Sequence, residues 1–384
     1  MEEFAPIAQM EAEIIRMVAN LYNGDRESCG LVTSGGTESI ILALLAYREI
    51  AAERGVKTPN IVMSNTAHAA FDKACFYFGI ELRKVQQTPE LTVDMREIRR
   101  QIDSNTICLV ASAPEFSYGN FDPVIEISEL AQKWKIGCHV DCCLGSFINA
   151  FAERSGFKLP HLVDFRVPGV TSISTDPHKY GFGPKGLSVL LFRNQKIRSY
   201  QFFATMKWNG GFYTTTTIAG SRPGCVIAGT WAAMMKIGVT GYIQNTKVIL
   251  SACENARKAI RNEIPEVNVA TRHQSSILAI VNRTDVASPI NVLALADVMK
   301  EHFKWGLCKI QNPSGLHIAM TMSSAKEWRR LVDDLKKSIK MMRENPDLNH
   351  SEDTATYGMV AKIPDSKFLN NLAAIHNAAY LDAL

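Results

Sequence analysis

No stretch of this 384-residue chain approaches the roughly 20 consecutive apolar residues that a membrane-spanning helix needs. The apolar run from Gly186 to Phe192 is the length of a short buried strand. Met1 to Ala12 carries three glutamates and no basic residue, so it does not read as a secretory signal. Internal repeats and low-complexity tracts are also lacking. Charge of one sign is scarce: the net charge is +4, and the basic residues are dispersed, so nothing calls for a nucleic-acid partner. Hydrophobic residues make up 46% and charged residues 21%, the balance of an ordinary globular protein with ample core. The chain alone reads as soluble and cytoplasmic. Its length exceeds one average domain and suggests one large and one small domain.

The nine cysteines lack the spacing of a disulfide framework or a zinc site. They sit mostly inside apolar segments, as small buried hydrophobes in a reducing compartment do. Cys138, His139, Cys142 and Cys143 are clustered enough to suggest a metal. If 136–141 is a strand, however, Cys138 and His139 point to opposite faces. Cys138 and Cys142 are then about 13 Å apart, too far to share one zinc ion.

Alternating strand and helix signals predict an α/β fold with a mainly parallel sheet. An entry helix over Ala8–Tyr22 precedes a short apolar run, Cys29–Thr33, and a helix over Glu38–Arg54. Strands are expected at Asn60–Ser64, Thr106–Ser112, Gly137–Asp141, Ser172–Thr175 and Gly186–Phe192. Helices are expected at Ala69–Phe78 and Ile125–Lys135. A long helix over Gly238–Ile264 leads into a smaller α+β domain with strands at Ile277–Val281 and Leu316–Met322 and a helix at Trp328–Met342. The polar stretch Glu344–Thr356 reads as a loose connection to a final helix. The expected division is an N-terminal helical segment over 1–24, a large cofactor-binding domain over 25–250 and a small C-terminal domain over 251–384.

Chemistry concentrates in the large domain. Ser174-Thr175-Asp176-Pro177-His178-Lys179-Tyr180-Gly181 places a His-Lys pair after a β-type run, and Asp141 closes another strand 38 residues before Lys179. This is the arrangement a pyridoxal phosphate enzyme needs. The lysine amine forms the Schiff base, and the carboxylate keeps the pyridine nitrogen protonated so that the ring acts as an electron sink. A lone lysine is usually a solvated surface residue, and a strand-end aspartate is often a cap; their pairing favours the cofactor reading. Ser34-Gly35-Gly36-Thr37 opens a helix, and its backbone N–H groups form an anion site. It lacks the Gly-Lys-Ser/Thr ending of a nucleotide P-loop. His178 stands ready to donate to the same phosphate. His68, between a strand and a helix, is either a helix cap or an imidazole stacked on the cofactor ring.

Together these residues resemble the pyridoxal phosphate-dependent sphingosine-1-phosphate lyases, within the fold-type I carboxy-lyase and decarboxylase group. The resemblance covers nearly the whole chain: Cys29 to Ser39 (CGLVTSGGTES), Ala67 to Lys73 (AHAAFDK), His139 to Phe147 (HVDCCLGSF) and Asp164 to Gly186 (DFRVPGVTSISTDPHKYGFGPKG). It continues through Tyr200 to Phe203 (YQFF), Ile218 to Gly224 (IAGSRPG) and Tyr357-Gly358-Met359. The Asp and His-Lys pair alone is shared with amino-acid decarboxylases. Cys142 stands where the family usually has alanine, and Ser146 where glycine is common.

The resemblance implies that Lys179 binds pyridoxal 5'-phosphate, Asp141 pairs with its pyridine nitrogen and His68 stacks on its ring. Gly36, Thr37 and His178 hold the phosphate, with Ser221 reaching in from a partner subunit of a homodimer. Lys185 and Tyr118 match family residues near the reacting end; these two and the freed Lys179 are the candidates for proton transfer. The implied reaction is retro-aldol cleavage of a phosphorylated sphingoid base to a long-chain aldehyde and phosphoethanolamine. Family members act at the endoplasmic reticulum membrane with the catalytic domain facing the cytosol. They also carry an N-terminal extension, anchored in eukaryotic members, and an Asn-Pro-Leu-His-type segment that helps build the substrate phosphate site. The sequence given starts at Met1-Glu2-Glu3-Phe4-Ala5-Pro6, just past where that segment is expected. An amino-acid decarboxylase with the same core and a truncated homologue with little or no turnover are the alternative readings.

Overall fold

Seven strands rich in Val, Ile, Leu and Cys form one sheet: β1 (Cys29–Thr33), β2 (Asn60–Ser64), β3 (Glu81–Val85), β4 (Thr106–Ser112), β5 (Gly137–Asp141), β6 (Ser172–Thr175) and β7 (Ser188–Phe192). The computed structural model describes residues 5–283, 285–286 and 289–350, with positions 371, 374, 375, 377 and 378. The Tyr357-Gly358-Met359 motif lies outside the described residues, as does the stretch 351–370.

The strand order is β1-β7-β6-β5-β4-β2-β3. Neighbours pair in parallel from β6 to β3, while β7 runs antiparallel to both β6 and β1. Every residue of β1, β2, β4, β5, β6 and β7 is buried, as expected of a parallel sheet covered on both faces, and this explains their near-continuous apolar runs. β3 is one of the two edge strands. It carries Glu81, Arg83 and Lys84 and is largely exposed, a charged edge that resists pairing with another chain.

Helices α1 (Ala5–Leu21), α2 (Gly36–Glu53) and α3 (Ala70–Phe78) follow the helical spacing of their apolar residues. Ile40, Ile41, Leu42 and Leu44 of α2 are buried in one cluster with Ile61, Met63, Phe71 and Val110. Each such side chain contributes about 1.5–3 kcal/mol relative to exposure. Tyr47 of the same helix is buried and hydrogen-bonded to Thr171 and Ser172 at the start of β6.

The described chain divides into two units. One comprises residues up to Asn255 with Ala270–Leu278 and Ala319–Lys326; the other comprises Ala256–Val269, Ala279–Ile318 and residues from Glu327 onward. The first also carries a hairpin, β8 (Phe203–Trp208) and β9 (Gly211–Thr215), that periodicity alone does not reveal. A four-stranded sheet elsewhere has the order β10 (Val267–Val269), β11 (Ile277–Asn282), β13 (Gly315–Ala319), β12 (Cys308–Ile310). Helices Val292–Phe303 and Trp328–Glu344 belong to the second unit.

Two expectations change. The long helix begins at Gly224, earlier than expected, and runs to Glu263 with a break at Gly238, whose φ of 60° leaves the helical region. By length and composition its 40 residues would suffice to cross a membrane, but the break at Gly238 divides them into two helices. Seven of the nine cysteines are buried, Cys225 and Cys308 are exposed, and all are free thiols.

Gly137, at the start of β5, meets Tyr47. A Cβ there would lie 2.4 Å from the tyrosine ring, far inside contact distance. Gly137→Ala is expected to lower the unfolding free energy by about 1–3 kcal/mol in chemical denaturation; an unchanged midpoint would show that the ring gives way freely.

Candidate active site

The parallel strands end on one edge of the sheet, and the loops that follow them converge there. Ser34 to Thr37 follow β1, His68 follows β2, Asp141 ends β5, and Asp176, His178 and Lys179 follow β6. These residues, with Glu38, Ile40 and Cys143, line one cavity of about 320 Å3. Six of the nine site residues expected from the sequence thus come together: Gly36, Thr37, His68, Asp141, His178 and Lys179.

α2 points its N-terminus into this cavity. Its first-turn N–H groups have no partner within the helix, and no side chain caps it. Glu38 instead braces the loop from behind. Its carboxylate accepts from the Ser34 amide at 2.6 Å and from the Ile218 amide at 2.9 Å. The turn is tight on one side: a Cβ at Gly36 would sit 2.7 Å from Cys143 Sγ and 3.1 Å from Asp176 Oδ2. At Gly35 the nearest atom would be His178 Cε1, 3.8 Å away, so the cradle stays open toward the cavity.

Asp141 is 8% exposed. Its Oδ1 accepts from the Cys143 amide at 2.9 Å and from the Ser174 hydroxyl at 3.2 Å. Those bonds fix the plane of the carboxylate and leave Oδ2 for a ligand. His68 is both cap and cavity wall: its Nδ1 accepts from the Ala70 amide at 3.0 Å, so the ring proton sits on Nε2.

Lys179 Nζ lies 3.0 Å from Asp176 Oδ2, and His178 Nε2 faces the same oxygen at 3.4 Å. His178 Nδ1 accepts from the Leu187 amide at 3.1 Å. Burial pulls the Lys179 amine down, but the Asp176 carboxylate, with Cys143 and Asp141, offsets this and holds it above the ordinary lysine value. Burial raises the Asp176 carboxyl, and His178 and Lys179 more than offset that, leaving it below the usual range. Asp176 Oδ1 is buried without a hydrogen-bond partner.

The remaining three expected residues do not line this cavity. Lys185 and Ser221 are exposed. Ser221 sits in a loop tethered on both sides, by the Ile218 amide to Glu38 and by a bidentate ion pair of Arg222 with Glu11. Tyr118 is fully buried in the loop after β4. Glu115 accepts its amide at 2.9 Å, and Thr271 donates to its carbonyl at 2.7 Å. Asp176, Cys143 and Glu38 are cavity residues that the sequence reading does not single out. Asp176 is three residues before Lys179, and Glu38 has the helix N3 spacing of a residue reaching back to the preceding turn, so both carried a signal. Cys143 carried none. Among the described residues no group of three or more His, Cys, Asp or Glu side chains is placed to hold a metal ion.

An anion cradle, an oriented carboxylate, an imidazole wall and a cavity lysine fit pyridoxal phosphate, and with this sheet they define a pyridoxal-dependent α/β protein. The family described as "pyridoxal-dependent decarboxylase conserved domain" matches residues 1–281. Rat sphingosine-1-phosphate lyase 1 is 40% identical over 99% of this chain and 66% of its own length. The yeast sphingosine-1-phosphate lyase from Saccharomyces cerevisiae is 39% identical over 99% of this chain and 64% of its own. Among solved structures, the Burkholderia pseudomallei sphingosine-1-phosphate lyase superposes with a TM-score of 0.85 at 33% identity, covering 95% of this chain and 83% of that one. Lactobacillus brevis glutamate decarboxylase, at 21% identity and a TM-score of 0.75 over 91% of this chain and 82% of that one, shares the fold. The chain belongs to the pyridoxal-dependent decarboxylase family and, within it, to the sphingosine-1-phosphate lyases. It spans about two thirds of the length of the rat and yeast relatives.

Two predictions arise from this geometry. Gly36→Ala places a methyl group against Cys143 and Asp176, so pyridoxal phosphate binding, followed by fluorescence quenching or dialysis, should weaken about 10-fold or more. Retained affinity would show that the cradle lies elsewhere. The second concerns Glu115, whose carboxyl burial pushes up to about 8 from an ordinary 4.5. Between those values the folded chain keeps a proton that the unfolded chain has lost, so rising pH costs stability at this group. The melting temperature of Glu115→Gln minus that of the parent should therefore increase as pH rises from about 5 to about 8. A difference that does not change with pH would refute the assignment.

Proposed function

We propose that this chain forms the catalytic part of a carbon–carbon lyase that cleaves phosphorylated sphingoid bases to a long-chain aldehyde and phosphoethanolamine. The observation that carries this reading is the combination of the Asp141–Lys179 cavity with near-complete coverage of the chain by relatives named sphingosine-1-phosphate lyases. Pyridoxal phosphate, when bound, supplies a carbonyl that takes up the substrate amine and a ring that accepts the electron pair of the breaking C2–C3 bond.

The protein's part is to bind, orient and move protons. The Gly36 and Thr37 amides, at the positive end of α2, and His178 would hold the phosphate. Asp141 Oδ2 would hold the proton of the pyridine nitrogen, and the His68 ring would support the cofactor. Lys179 Nζ would anchor it. Of the three candidates for taking the C3 hydroxyl proton, Lys179 is the one that lines the cavity. The charge that Asp176 favours on its amine is the charge that accepting a proton creates. Lys185 and Tyr118 remain family-matched candidates that would have to be brought in by substrate or by a second subunit.

The assembly proposed is a homodimer with Ser221 contributing to the partner's phosphate site. The hairpin β8–β9 supports it, exposing Phe203, Met206, Trp208 and Phe212 together. So does the tethered loop that presents Ser221. The proposed location is the cytosolic side of the endoplasmic reticulum, as in the family. A decarboxylase acting on an amino acid is the second reading, favoured by the fold shared with glutamate decarboxylase.

The test is release of aldehyde and phosphoethanolamine from a phosphorylated sphingoid base by the protein loaded with pyridoxal phosphate. Lys179→Ala is expected to reduce turnover to background and to lose cofactor that survives dialysis in the parent. Cofactor retained covalently in that variant would overturn the role of Lys179. Carbon dioxide release from amino acids without aldehyde release would select the decarboxylase.

A further inference from the structure

The sequence patterns His139-Val140-Asp141 and Ser172-Ile173-Ser174 stand side by side on β5 and β6. His139 pairs with Ser172 and Asp141 with Ser174 in a parallel register. Alternate residues of a strand share a face, so all four side chains meet on one side of the sheet. They form a continuous chain of hydrogen bonds. Ser174 Oγ donates to Asp141 Oδ1 at 3.2 Å, and His139 Nε2 lies 3.1 Å from Ser174 Oγ. His139 Nδ1 lies 2.7 Å from Ser172 Oγ, Ser172 Oγ lies 2.6 Å from Tyr47 OH, and Tyr47 OH lies 2.7 Å from Thr171 Oγ1.

The direction of every proton follows from one end. An ionised carboxylate only accepts, so Ser174 spends its single proton on Asp141. His139 must then donate to Ser174 from Nε2, which makes Nδ1 an acceptor. Ser172 donates to that nitrogen and Tyr47 donates to Ser172, while Thr171 gives its own proton to the Cys138 carbonyl at 3.0 Å. From Tyr47 on, all donors point the same way, toward the carboxylate. Burial, only partly countered by Asp141, pulls the His139 imidazole down to about 4, and burial raises the Tyr47 phenol well above its ordinary value, so both stay neutral across the working range. His139, Ser172 and Ser174 are each 0% exposed. The far end, Tyr47 and Thr171, lines a second cavity of about 210 Å3 together with Arg54, Lys135 and Gly137.

We propose that His139 is a positioning residue for the cofactor site: as the Nε2–H tautomer, it links Tyr47 and Ser172 to Ser174 in a one-way relay that orients Asp141 and keeps its charge available to the pyridine nitrogen. The proposal rests on the cofactor reading above for its purpose, but not for its geometry. Cooperative polarisation along such a chain strengthens the final bond to the carboxylate.

The experiment has two arms. In the protein free of cofactor, nitrogen NMR of labelled histidine reads the His139 tautomer directly. The expected result at neutral pH is a neutral ring protonated on Nε2 in the parent. Ser174→Ala, which removes the acceptor of Nε2–H, should lose that exclusive tautomer while the protein remains folded, whereas Ser172→Ala, which leaves that acceptor in place, should keep it. A Nδ1–H ring or a charged ring in the parent overturns the relay. In the loaded protein, Ser174→Ala should weaken pyridoxal phosphate binding roughly 10-fold, the scale of one hydrogen bond to a charged group, and shift the visible band of the bound cofactor. His139→Gln should shift the band in the same direction; Ser174→Ala still gives the answer if that variant does not fold. Unchanged band and affinity in Ser174→Ala, with the expected tautomer in the parent, overturns the positioning role. Failure of the parent to bind pyridoxal phosphate would instead count against the cofactor reading itself.

Discussion

The pairing register of β5 with β6 is the constraint on which the site depends. Asp141 opposite Ser174 and His139 opposite Ser172 is the alignment that puts a carboxylate at the cavity edge and its supporting hydroxyls behind it. A slip of one residue would turn every side chain on the strand to the other face. Val140 and Ile173, both fully buried on the opposite face, make that slip costly, because it would exchange apolar for polar groups on both faces. Packing therefore fixes an electrostatic arrangement. Gly137 contributes to the same end, since its missing side chain lets the Tyr47 ring close over the start of β5.

Charge within the cavity is unevenly distributed. Three carboxylates, Glu38, Asp141 and Asp176, share a space of about 320 Å3 with one lysine, Lys179, and two histidines, His68 and His178. Each carboxylate has a different counterweight. Glu38 is satisfied by two backbone amides, Asp141 by an amide and a hydroxyl, and Asp176 by the Lys179 amine. Amides and helix dipoles do not titrate, so Glu38 and Asp141 keep their support whatever the lysine does. Asp176 does not share that independence. In the proposed reaction Lys179 is the counterweight that has to change its bonding.

Much of this was legible in the sequence because it rests on local rules. Alternating apolar segments gave the sheet and its covering helices, and a glycine turn before a helix gave the anion cradle. Asp141, His178 and Lys179 were legible because strand-end polar residues in a parallel sheet gather at one edge. What was hidden depends on tertiary neighbours. β3 reads as polar because it is an exposed edge, and the β8–β9 hairpin carries its aromatics outward, so neither presents the pattern of a half-buried strand. The break at Gly238 divides the 224–263 stretch into two helices, which apolar periodicity alone does not separate. Tyr118 follows a strand end, as site residues do, but Glu115 turns the loop back on itself and buries the ring outside the cavity lining. Lys179's charge state could not be read without knowing that Asp176, three residues earlier, folds back onto it.

That fold-back gives a physical reason for the adjacency of His178 and Lys179. Asp176 is 1% exposed, and an unpaired carboxylate at such depth costs about 3–5 kcal/mol. When Lys179 commits its nitrogen elsewhere, the Asp176 oxygen that it leaves still faces His178 Nε2 at 3.4 Å. The imidazole is anchored by the Leu187 amide on Nδ1, which holds the proton on Nε2 and so keeps a donor aimed at Asp176. The same ring borders the Gly35 cradle. A histidine in this position can therefore keep Asp176 partnered when the lysine amine turns away. The two side chains are alternate partners of one buried carboxylate, and the histidine limits the cost of any departure of the lysine.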